Sequence, residues 1–223
     1  MSVANKIITK NDLELLNEYI DTKNLRKKYG NRSDDLWYKE DCYTKWASCL
    51  MMFDEVKRPA DRVVDLGVGD GPVAHAISDQ GFDVVGVDLT RVDHPYQSLV
   101  VMVLKDAIEF LTDYEDDSVD IFLDSCSVTH FNFINNSNPG WANVFRSVQR
   151  ILKPGGFFIV SSDIRFDKER IGEFILPETI VKTAEDSGLI LTSKVEYNRK
   201  DAIIRNEPGY GILGVANFCF RKA

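Results

Sequence analysis

The stretch Val63-Val64-Asp65-Leu66-Gly67-Val68-Gly69-Asp70-Gly71-Pro72 decides the fold of this chain. Residues 63 to 66 form a short apolar run typical of a buried strand, and a helical pattern follows from about 72 to 80. Glycines between a strand and a helix let the backbone approach a ligand closely, because glycine has no Cβ. The stretch therefore predicts the first strand-to-helix turn of an α/β sheet, which is where such sheets bind their ligands.

Short apolar runs alternate with helical stretches downstream, which is the pattern of a parallel sheet with helices on both faces. The predicted strands are residues 62–66, 83–88, 99–103, 119–124 and 156–162. The predicted helices are residues 72–80, 105–112, 140–152 and 177–187. Two longer runs, 189–197 and 212–221, predict a terminal antiparallel unit added to this sheet.

The N-terminal part has a different texture. Residues 11–29 and 35–55 predict two helices, and the second repeats apolar side chains at helical spacing. Pro59 and its polar neighbours close this part. We therefore predict a helical N-terminal cap, residues 1–60, followed by an α/β domain, residues 61–223.

The composition of the 223 residues, 44% hydrophobic and 28% charged, is that of a globular protein. The chain has no run of about 18 uncharged apolar residues, and its first residues lack the apolar core of a signal peptide. We therefore expect a cytoplasmic protein without a membrane partner. Four cysteines (Cys42, Cys49, Cys126, Cys219) form no CxxC pair, so we expect reduced thiols and no metal site.

Charge is distributed unevenly along the chain. Residues 61–139 contain 3 basic and 15 acidic side chains, whereas the whole chain has a net charge of -8. A polyanionic ligand is therefore disfavoured in this segment. A basic cluster lies before it, in a predicted helical region where it can also be a solvated face: Lys23, Arg26, Lys27, Lys28 and Arg32.

Two ligand classes compete for the glycine turn. A dinucleotide oxidoreductase requires a third glycine at the position that Pro72 occupies. A pyrophosphate would also meet the carboxylates of Asp65 and Asp70. The same carboxylates attract a ligand that carries an ammonium and a sulfonium, so the sign of the charge favours the second class.

These residues resemble the motifs of the class I (Rossmann-like) S-adenosylmethionine-dependent methyltransferases of the small-molecule type. The resemblance covers about residues 61–223 and rests on five stretches in the family's order: VVDLGVGDG at 63–71, VVGVDL at 84–89, KDA at 105–107, SVDI at 118–121 and RILKPGG at 150–156. It implies a doubly wound, mostly parallel sheet of seven strands, one of them antiparallel. It also implies S-adenosyl-L-methionine as the cofactor.

The resemblance assigns cofactor binding to ten residues: Asp65, Gly67, Gly69, Asp70, Asp88, Leu89, Asp106, Ala107, Asp124 and Ser125. In this assignment Asp88 would hold the ribose and Leu89 would pack on the adenine. Asp106 would accept a hydrogen bond from the exocyclic amine, while the amide of Ala107 donates to the ring. Asp65 and Gly67 would face the methionyl end.

The stretch from Asp124 to Phe131 lies where the family places its substrate-facing residues, with Thr129 in place of the usual acid. Methyl transfer to a hydroxyl requires a base, and an imidazole changes its charge near neutral pH. His130 is therefore the candidate general base, and a helix-start histidine that is only hydrogen-bonded is the alternative. His75, inside the following helix, is predicted to be structural.

Several family substrates are disfavoured by residues that the chain lacks. No Asp/Asn-Pro-Pro-Tyr follows the fourth strand, which disfavours methylation of an exocyclic amine of a nucleic-acid base. Asp163 is not followed by the asparagine of the metal-dependent catechol type, which disfavours a metal site. We expect a small molecule or a sugar unit as acceptor, methylated at oxygen, with Trp37, Tyr38 and Tyr43 of the cap as substrate contacts. RNA or protein methylation, a non-catalytic nucleotide-binding domain of the same fold and a nicotinamide enzyme remain alternatives.

Overall fold

A nine-stranded sheet forms the centre of the computed structural model, which describes residues 5–29, 40–69, 72–90, 99–131, 140–166, 175–207 and 211–223. Its strands in chain order are β1 (Lys6–Ile7), β2 (Arg62–Leu66), β3 (Asp83–Asp88), β4 (Val101–Leu104), β5 (Val119–Ser125), β6 (Leu152–Arg165), β7 (Leu189–Leu191), β8 (Ile204–Glu207) and β9 (Gly211–Lys222). The main path across the sheet is β1-β9-β6-β5-β2-β3-β4, and β7 and β8 also pair with β9.

Strand β9 is the one strand that runs against the others in the described sheet. It pairs antiparallel with β1, β6, β7 and β8, whereas the pairs among β2, β3, β4, β5 and β6 are parallel. The prediction of a mostly parallel sheet with one antiparallel strand is therefore confirmed. All seven predicted strands are present, and β1 and β8 are two further strands too short to give a clear sequence pattern.

Seven α-helices flank the described sheet: α1 (Asp12–Thr22), α2 (Leu25–Tyr29), α3 (Glu40–Val56), α4 (Val73–Ser78), α5 (Ala107–Asp113), α6 (Gly140–Ile151) and α7 (Pro177–Asp186). Helices α5, α6 and α7 share one core cluster with one face of the sheet. Helices α1 to α4 share a second cluster with the other face. Adjacent residues of β2 show the division, since Val63 belongs to the second cluster and Val64 to the first.

Three predicted elements differ from the structure in more than a small shift of their ends. The single helix predicted over 11–29 is broken between α1 and α2, where Asn24 has a φ of 56°. Strand β6 begins at Leu152 instead of 156, because the register against β5 shifts between Val119 and Ile121 and the Pro-Gly-Gly segment fits into that irregularity. The run at 189–197 forms a strand only as far as Leu191.

Helix α3 runs antiparallel to strands β5 and β6. The thiol of Cys49 lies 3.6 Å from the carbonyl oxygen of Asp124, and Lys45, one turn earlier, reaches Asp163. Asp124 lies opposite Val160 in the β5/β6 register, so Asp163 is closer to the carboxyl end of the strands. Going from Cys49 back to Lys45 along the helix therefore leads toward the carboxyl ends of these strands. The first turn of α3 is therefore directed to the edge of the sheet where ligands bind.

The segment before residue 60 contributes to the same sheet as the rest of the chain. Strand β1 pairs with β9, and the side-chain oxygen of Asn5 accepts a hydrogen bond from the Cys219 amide at 2.5 Å. The division into a cap and a domain at residue 60 stays a prediction. None of the helices in the described ranges combines the length and the apolar character needed to cross a membrane.

Candidate active site at the carboxyl ends of β2, β3 and β5

The strand order creates a crevice between β2 and β5. From β2 the chain moves outward to β3 and β4, and it then crosses to the other side of β2 to form β5. Ligands of open α/β sheets bind outside the carboxyl ends of the strands at such a switch point. Leu66 and Asp124, which face each other in the β2/β5 register, mark this point.

The glycine turn after β2 requires glycine for two separate reasons. Gly67 and Gly69 have φ angles of 69° and 53°, in the left-handed region that other residues rarely adopt. A Cβ on Gly67 would also lie 2.2 Å from the Cβ of Ser127. The turn is anchored to β3, since the Gly67 amide donates to the carbonyl oxygen of Val87 at 2.7 Å.

Asp88 joins the glycine turn to the end of β3. Its Oδ2 atom accepts a hydrogen bond from the Gly69 amide at 2.7 Å, and its Oδ1 atom accepts one from the Thr90 amide at 3.1 Å. The next residue, Leu89, leaves 71% of its surface exposed. The structure therefore places an acceptor carboxylate and an exposed apolar side chain next to each other, beside the turn.

Asp106 is the N-cap of α5, a role that the sequence prediction missed. Its Oδ1 atom accepts hydrogen bonds from the amides of Ile108 and Glu109, at 2.9 Å and 3.1 Å. Ala107, the first residue of the helix, is buried. An aspartate directly before a helical pattern is the standard signal of an N-cap, so the sequence contained this information. Both of these bonds are made to Oδ1.

Asp65 is a buried carboxyl on the α4 side of β2. Burial raises its pKa well above the ordinary value, and the negative charge of Asp124 raises it further. A hydrogen bond from the Ala74 amide, at the start of α4, opposes the shift, and Asp88 adds a smaller repulsion. Asp65 therefore holds its proton far more strongly than a solvated aspartate.

Asp124, near the end of β5, is fully buried and caps the turn that follows. Its Oδ1 atom accepts hydrogen bonds from the amides of Ser127 and Val128, at 2.9 Å and 3.0 Å. Burial raises its pKa to about 6, although these bonds and the charge of His130 pull it down. Its Oδ2 atom is buried and has no hydrogen-bond partner among the described residues.

Ser127 connects this carboxyl to the glycine turn. Its hydroxyl contacts both Oδ1 of Asp124 and the carbonyl oxygen of Leu66. The contact with Leu66 explains why a side chain at Gly67 would collide with Ser127. Ser125, the predicted cofactor contact at the end of β5, is half-buried beside Asp124.

His130 ends the 3₁₀ turn Val128–His130, which follows β5. Its side chain is exposed, and its backbone amide donates to the carbonyl oxygen of Ser127 at 2.9 Å. Thr129 is fully buried and bonds to the carbonyl oxygen of Cys126. His130 is therefore exposed at the carboxyl end of β5, and its role as a base stays a prediction. The second histidine considered above, His75, is buried in α4.

A buried ion pair next to this turn was not predicted. Lys45 of α3 lies 3.3 Å and 3.2 Å from the two carboxylate oxygens of Asp163 in β6, and the thiol of Cys126 lies 3.2 Å from Oδ2. Burial raises the pKa of Cys126 to about 12. Cys126 also has a φ of 71°, and such strain in a non-glycine residue is typical of functional turns. Lys45 reaches Asp163 because of where α3 packs along the strands, and the sequence does not show that position.

The remaining predicted residues cannot be placed. Asp70, Trp37 and Tyr38 lie outside the described residues, as does Arg32 of the basic cluster. Tyr43 belongs to α3, but its side chain is not described. Within the described ranges, no group of three or more His, Cys, Asp or Glu side chains is arranged to hold a metal ion.

The described site is acidic and partly apolar. Asp65, Asp88 and Asp124 lie at or near the carboxyl ends of three adjacent strands, with the exposed Leu89 at their margin. Such a site suits a cationic ligand that also carries a ribose and a flat apolar ring.

Comparison with protein families gives a match to a model described as a methyltransferase domain, over residues 38–176. The Bacillus subtilis (strain 168) protein YqeM, whose name assigns it to the methyltransferases, is 26% identical over 161 residues. The matched region is 69% of this chain and 59% of YqeM, so the chain spans less than two thirds of the length of this curated relative.

Two solved structures illustrate the likeness in fold. The 1,6-didemethyltoxoflavin-N1-methyltransferase of Burkholderia thailandensis, crystallised with 1,6-didemethyltoxoflavin and S-adenosylhomocysteine, aligns with a TM-score of 0.60 at 16% identity, over 100% of this chain and 94% of that one. Phosphoethanolamine N-methyltransferase 2 of Haemonchus contortus, in complex with S-adenosyl-L-methionine, aligns with a TM-score of 0.56 at 16% identity, over 79% and 52% of the two chains.

Proposed function

Because the chain belongs to the methyltransferase-domain family, we propose that it transfers a methyl group from S-adenosylmethionine to a small molecule or a sugar unit. One observation carries this proposal. The carboxylate of Asp88 is fixed by the Gly69 amide at 2.7 Å, directly beside an exposed Leu89. In this arrangement the Asp88 carboxylate would bind a ribose and Leu89 would pack on an adenine, beside a glycine turn whose other neighbours are carboxyl groups.

The residues present fit this cofactor. Its ammonium and sulfonium groups need negative charge. The carboxylate of Asp88 is one source, and Asp65 and Asp124 are buried carboxyls that a nearby cation would help to ionise. Its ribose needs an acceptor, for which Asp88 is available at the end of β3. Its adenine needs an apolar surface, and Leu89 offers one. When bound, the cofactor supplies an electrophilic methyl group.

This chain's own residues then have three tasks: orienting the acceptor, keeping water out and removing a proton. We assign proton removal to His130, whose side chain is exposed at the end of the turn that follows β5, and we favour an oxygen acceptor for that reason. Acceptor binding is assigned to Trp37, Tyr38 and Tyr43, which lie in α3 or shortly before it. The direction of α3 toward the carboxyl edge of the sheet supports this assignment. The two solved relatives above are named as N-methyltransferases, so nitrogen is the competing acceptor atom.

The cofactor assignment is tested by calorimetry with S-adenosylmethionine, S-adenosylhomocysteine and NAD. We expect the first two to bind and the dinucleotide not to bind. Binding of NAD without binding of S-adenosylhomocysteine would contradict the proposal.

A gel-shift series at low salt tests nucleic acid as the acceptor, since contacts to phosphates give an affinity that falls steeply with salt. We expect no retention of RNA or DNA.

A further inference from the structure

We infer that Asp124 is a proton-controlled charge selector: ionised, it makes the crevice prefer the cationic cofactor over the thioether product, and protonated, it removes that preference. The inference rests on the proposed function, because it concerns how the same crevice distinguishes the two ligands. It makes Asp124 a specificity-determining residue, in addition to its structural role as the cap of a turn.

The first support is the unequal use of the two carboxyl oxygens. Oδ1 of Asp124 accepts the amides of Ser127 and Val128, while Oδ2 is buried and has no partner among the described residues. An ionised oxygen in such a position lacks compensation, and its cost is high. In the ligand-free protein this carboxyl therefore keeps its proton to a higher pH than a solvated aspartate does, and a positive ligand charge nearby favours its loss.

The second support is the number of hydrogen bonds that the Ser127 hydroxyl can donate. Its hydroxyl contacts Oδ1 of Asp124 and the carbonyl oxygen of Leu66, but it has only one proton to donate. A carbonyl can only accept. With one proton the hydroxyl can serve both acceptors only by sharing it, whereas a proton on Asp124 allows a full hydrogen bond at each contact. Ionisation turns the Ser127 proton toward Asp124, so the state of the carboxyl also changes the bond between the turn and the end of β2.

The titratable groups around Asp124 come from four elements. Asp65 lies on β2, Cys49 on α3 and His130 on the 3₁₀ turn, and Asp88 of β3 acts through Asp65. His130 is the one group of this set that can carry a positive charge. Burial raises the pKa of Asp124 to about 6, so this carboxyl loses its proton within the pH range where ligand binding can be measured.

The test compares S-adenosylhomocysteine with sinefungin, in which a carbon bearing an amine replaces the methyl sulfonium of the cofactor. The two ligands share the adenosine and the amino acid, so the ratio of their Kd values isolates the charge at the reacting position. From about pH 5 to about pH 7.5 we expect the preference for sinefungin to rise by about tenfold, a low value for opposite charges in a protein crevice.

Two variants locate the effect. Asp124→Asn resembles the protonated carboxyl and keeps an Oδ1 acceptor for the capping amides, so its ratio is expected to stay constant over this pH range. His130→Asn is expected to keep the rise but to move it toward higher pH, because the charge of His130 no longer lowers the pKa of Asp124. A rise that survives in Asp124→Asn, or that disappears in His130→Asn, assigns the effect elsewhere and overturns the inference.

A measurement on the unaltered protein covers the case in which Asp124→Asn does not fold. Calorimetry near pH 6, in buffers of different ionisation enthalpy, counts the protons released on binding. The proton leaves the carboxyl O–H bond for the buffer, while the ligand amine stays protonated. We expect sinefungin to release more protons than S-adenosylhomocysteine. Equal release overturns the inference and leaves the proposed function intact, whereas absence of binding by both ligands overturns both.

Discussion

The ammonium of Lys45 lies 3.2 Å from Oδ2 of Asp163, and this pair joins helix α3 to strand β6 with both side chains buried. A buried ion pair gains little over well-packed apolar groups, but it is costly to break on one side only, because the remaining charge stays buried. The pair therefore fixes where α3 lies on the sheet, and with it the direction in which the first turn of the helix points.

Removal of one member of this pair should destabilise the protein strongly. We expect Lys45→Met or Asp163→Leu alone to lower the free energy of unfolding by about 3–5 kcal/mol. The double variant should recover most of the loss, because no uncompensated charge remains. Urea unfolding of the four proteins measures the coupling. Additive losses in the double variant would show that the pair is not coupled.

The link between Asp88 and the glycine turn should appear in cofactor affinity. Asp88→Ala removes the acceptor of the Gly69 amide, and we expect it to weaken S-adenosylhomocysteine binding by about 1–3 kcal/mol. Asp83→Ala is the matched control, since it removes an exposed carboxylate at the opposite end of the same strand. Titration calorimetry should show an unchanged affinity for the control, and an equal loss in both variants would argue against a ribose at Asp88.

Alanine substitutions at Gly67 and Gly81 distinguish the cost of backbone strain from the cost of a steric clash with a neighbouring side chain. Both have positive φ angles, 69° and 90°, so an alanine costs about 1–2 kcal/mol at either position. A Cβ on Gly81 meets no atom within 4 Å, whereas one on Gly67 meets Ser127. We expect Gly67→Ala to lose an additional 1–3 kcal/mol or so of unfolding free energy, together with cofactor binding. Thermal melts and calorimetry on the two variants test this, and equal losses would contradict it.

Asp124 should make the protein less stable as the pH rises. Its pKa is raised from 3.8 to about 6, so the folded state binds this proton more tightly than the unfolded state. Its contribution is complete below the unfolded pKa and is lost as the pH rises through the folded pKa, a change of about 3 kcal/mol.

The measurement is the difference in unfolding free energy between the native sequence and Asp124→Asn, at several pH values. Groups with lowered pKa values, such as Asp12 and Asp54, contribute to both proteins and cancel. We expect the difference to shift against the native sequence as the pH rises from about 4 to about 6. Asp186→Asn, at an exposed position of α7, should show no such shift.

His130 should affect turnover without affecting cofactor binding. If it removes a proton from an oxygen acceptor, His130→Ala should reduce kcat by roughly 100-fold and leave the Kd of S-adenosylhomocysteine nearly unchanged. Single-turnover kinetics with an identified acceptor provides the measurement. A loss below about threefold would indicate an acceptor that needs no base, such as an amine that is already neutral.

The sequence was informative wherever a pattern is local. Strands β2 and β3 were predicted residue for residue, because each is a short apolar run with turn residues at its end. The glycine turn and Asp88 came from the same local signal. Strand β1 was missed because two residues carry no periodicity, and its formation depends on a partner more than 200 positions away.

The site was less predictable than the fold, since its electrostatics depend on contacts between distant elements. The pairing of Lys45 with Asp163 joins residues 118 positions apart, and no pattern near either residue announces it. The raised pKa of Asp65 depends on burial under α4 and on the neighbouring Asp124. Asp106 is the exception, because its role as an N-cap could have been read from its position before a helix.

Strand β1 also has a consequence for the order in which the chain acquires its structure during synthesis. A ribosome makes Asn5 and β1 more than 200 residues before the groups that they bond, which are the Cys219 amide and strand β9. The parallel strands from β2 to β6 can pair before β9 has been made, whereas the edge formed by β9 closes only after that strand has left the ribosome. Until then the first residues have no strand to join, and β6 presents a bare edge to other nascent chains.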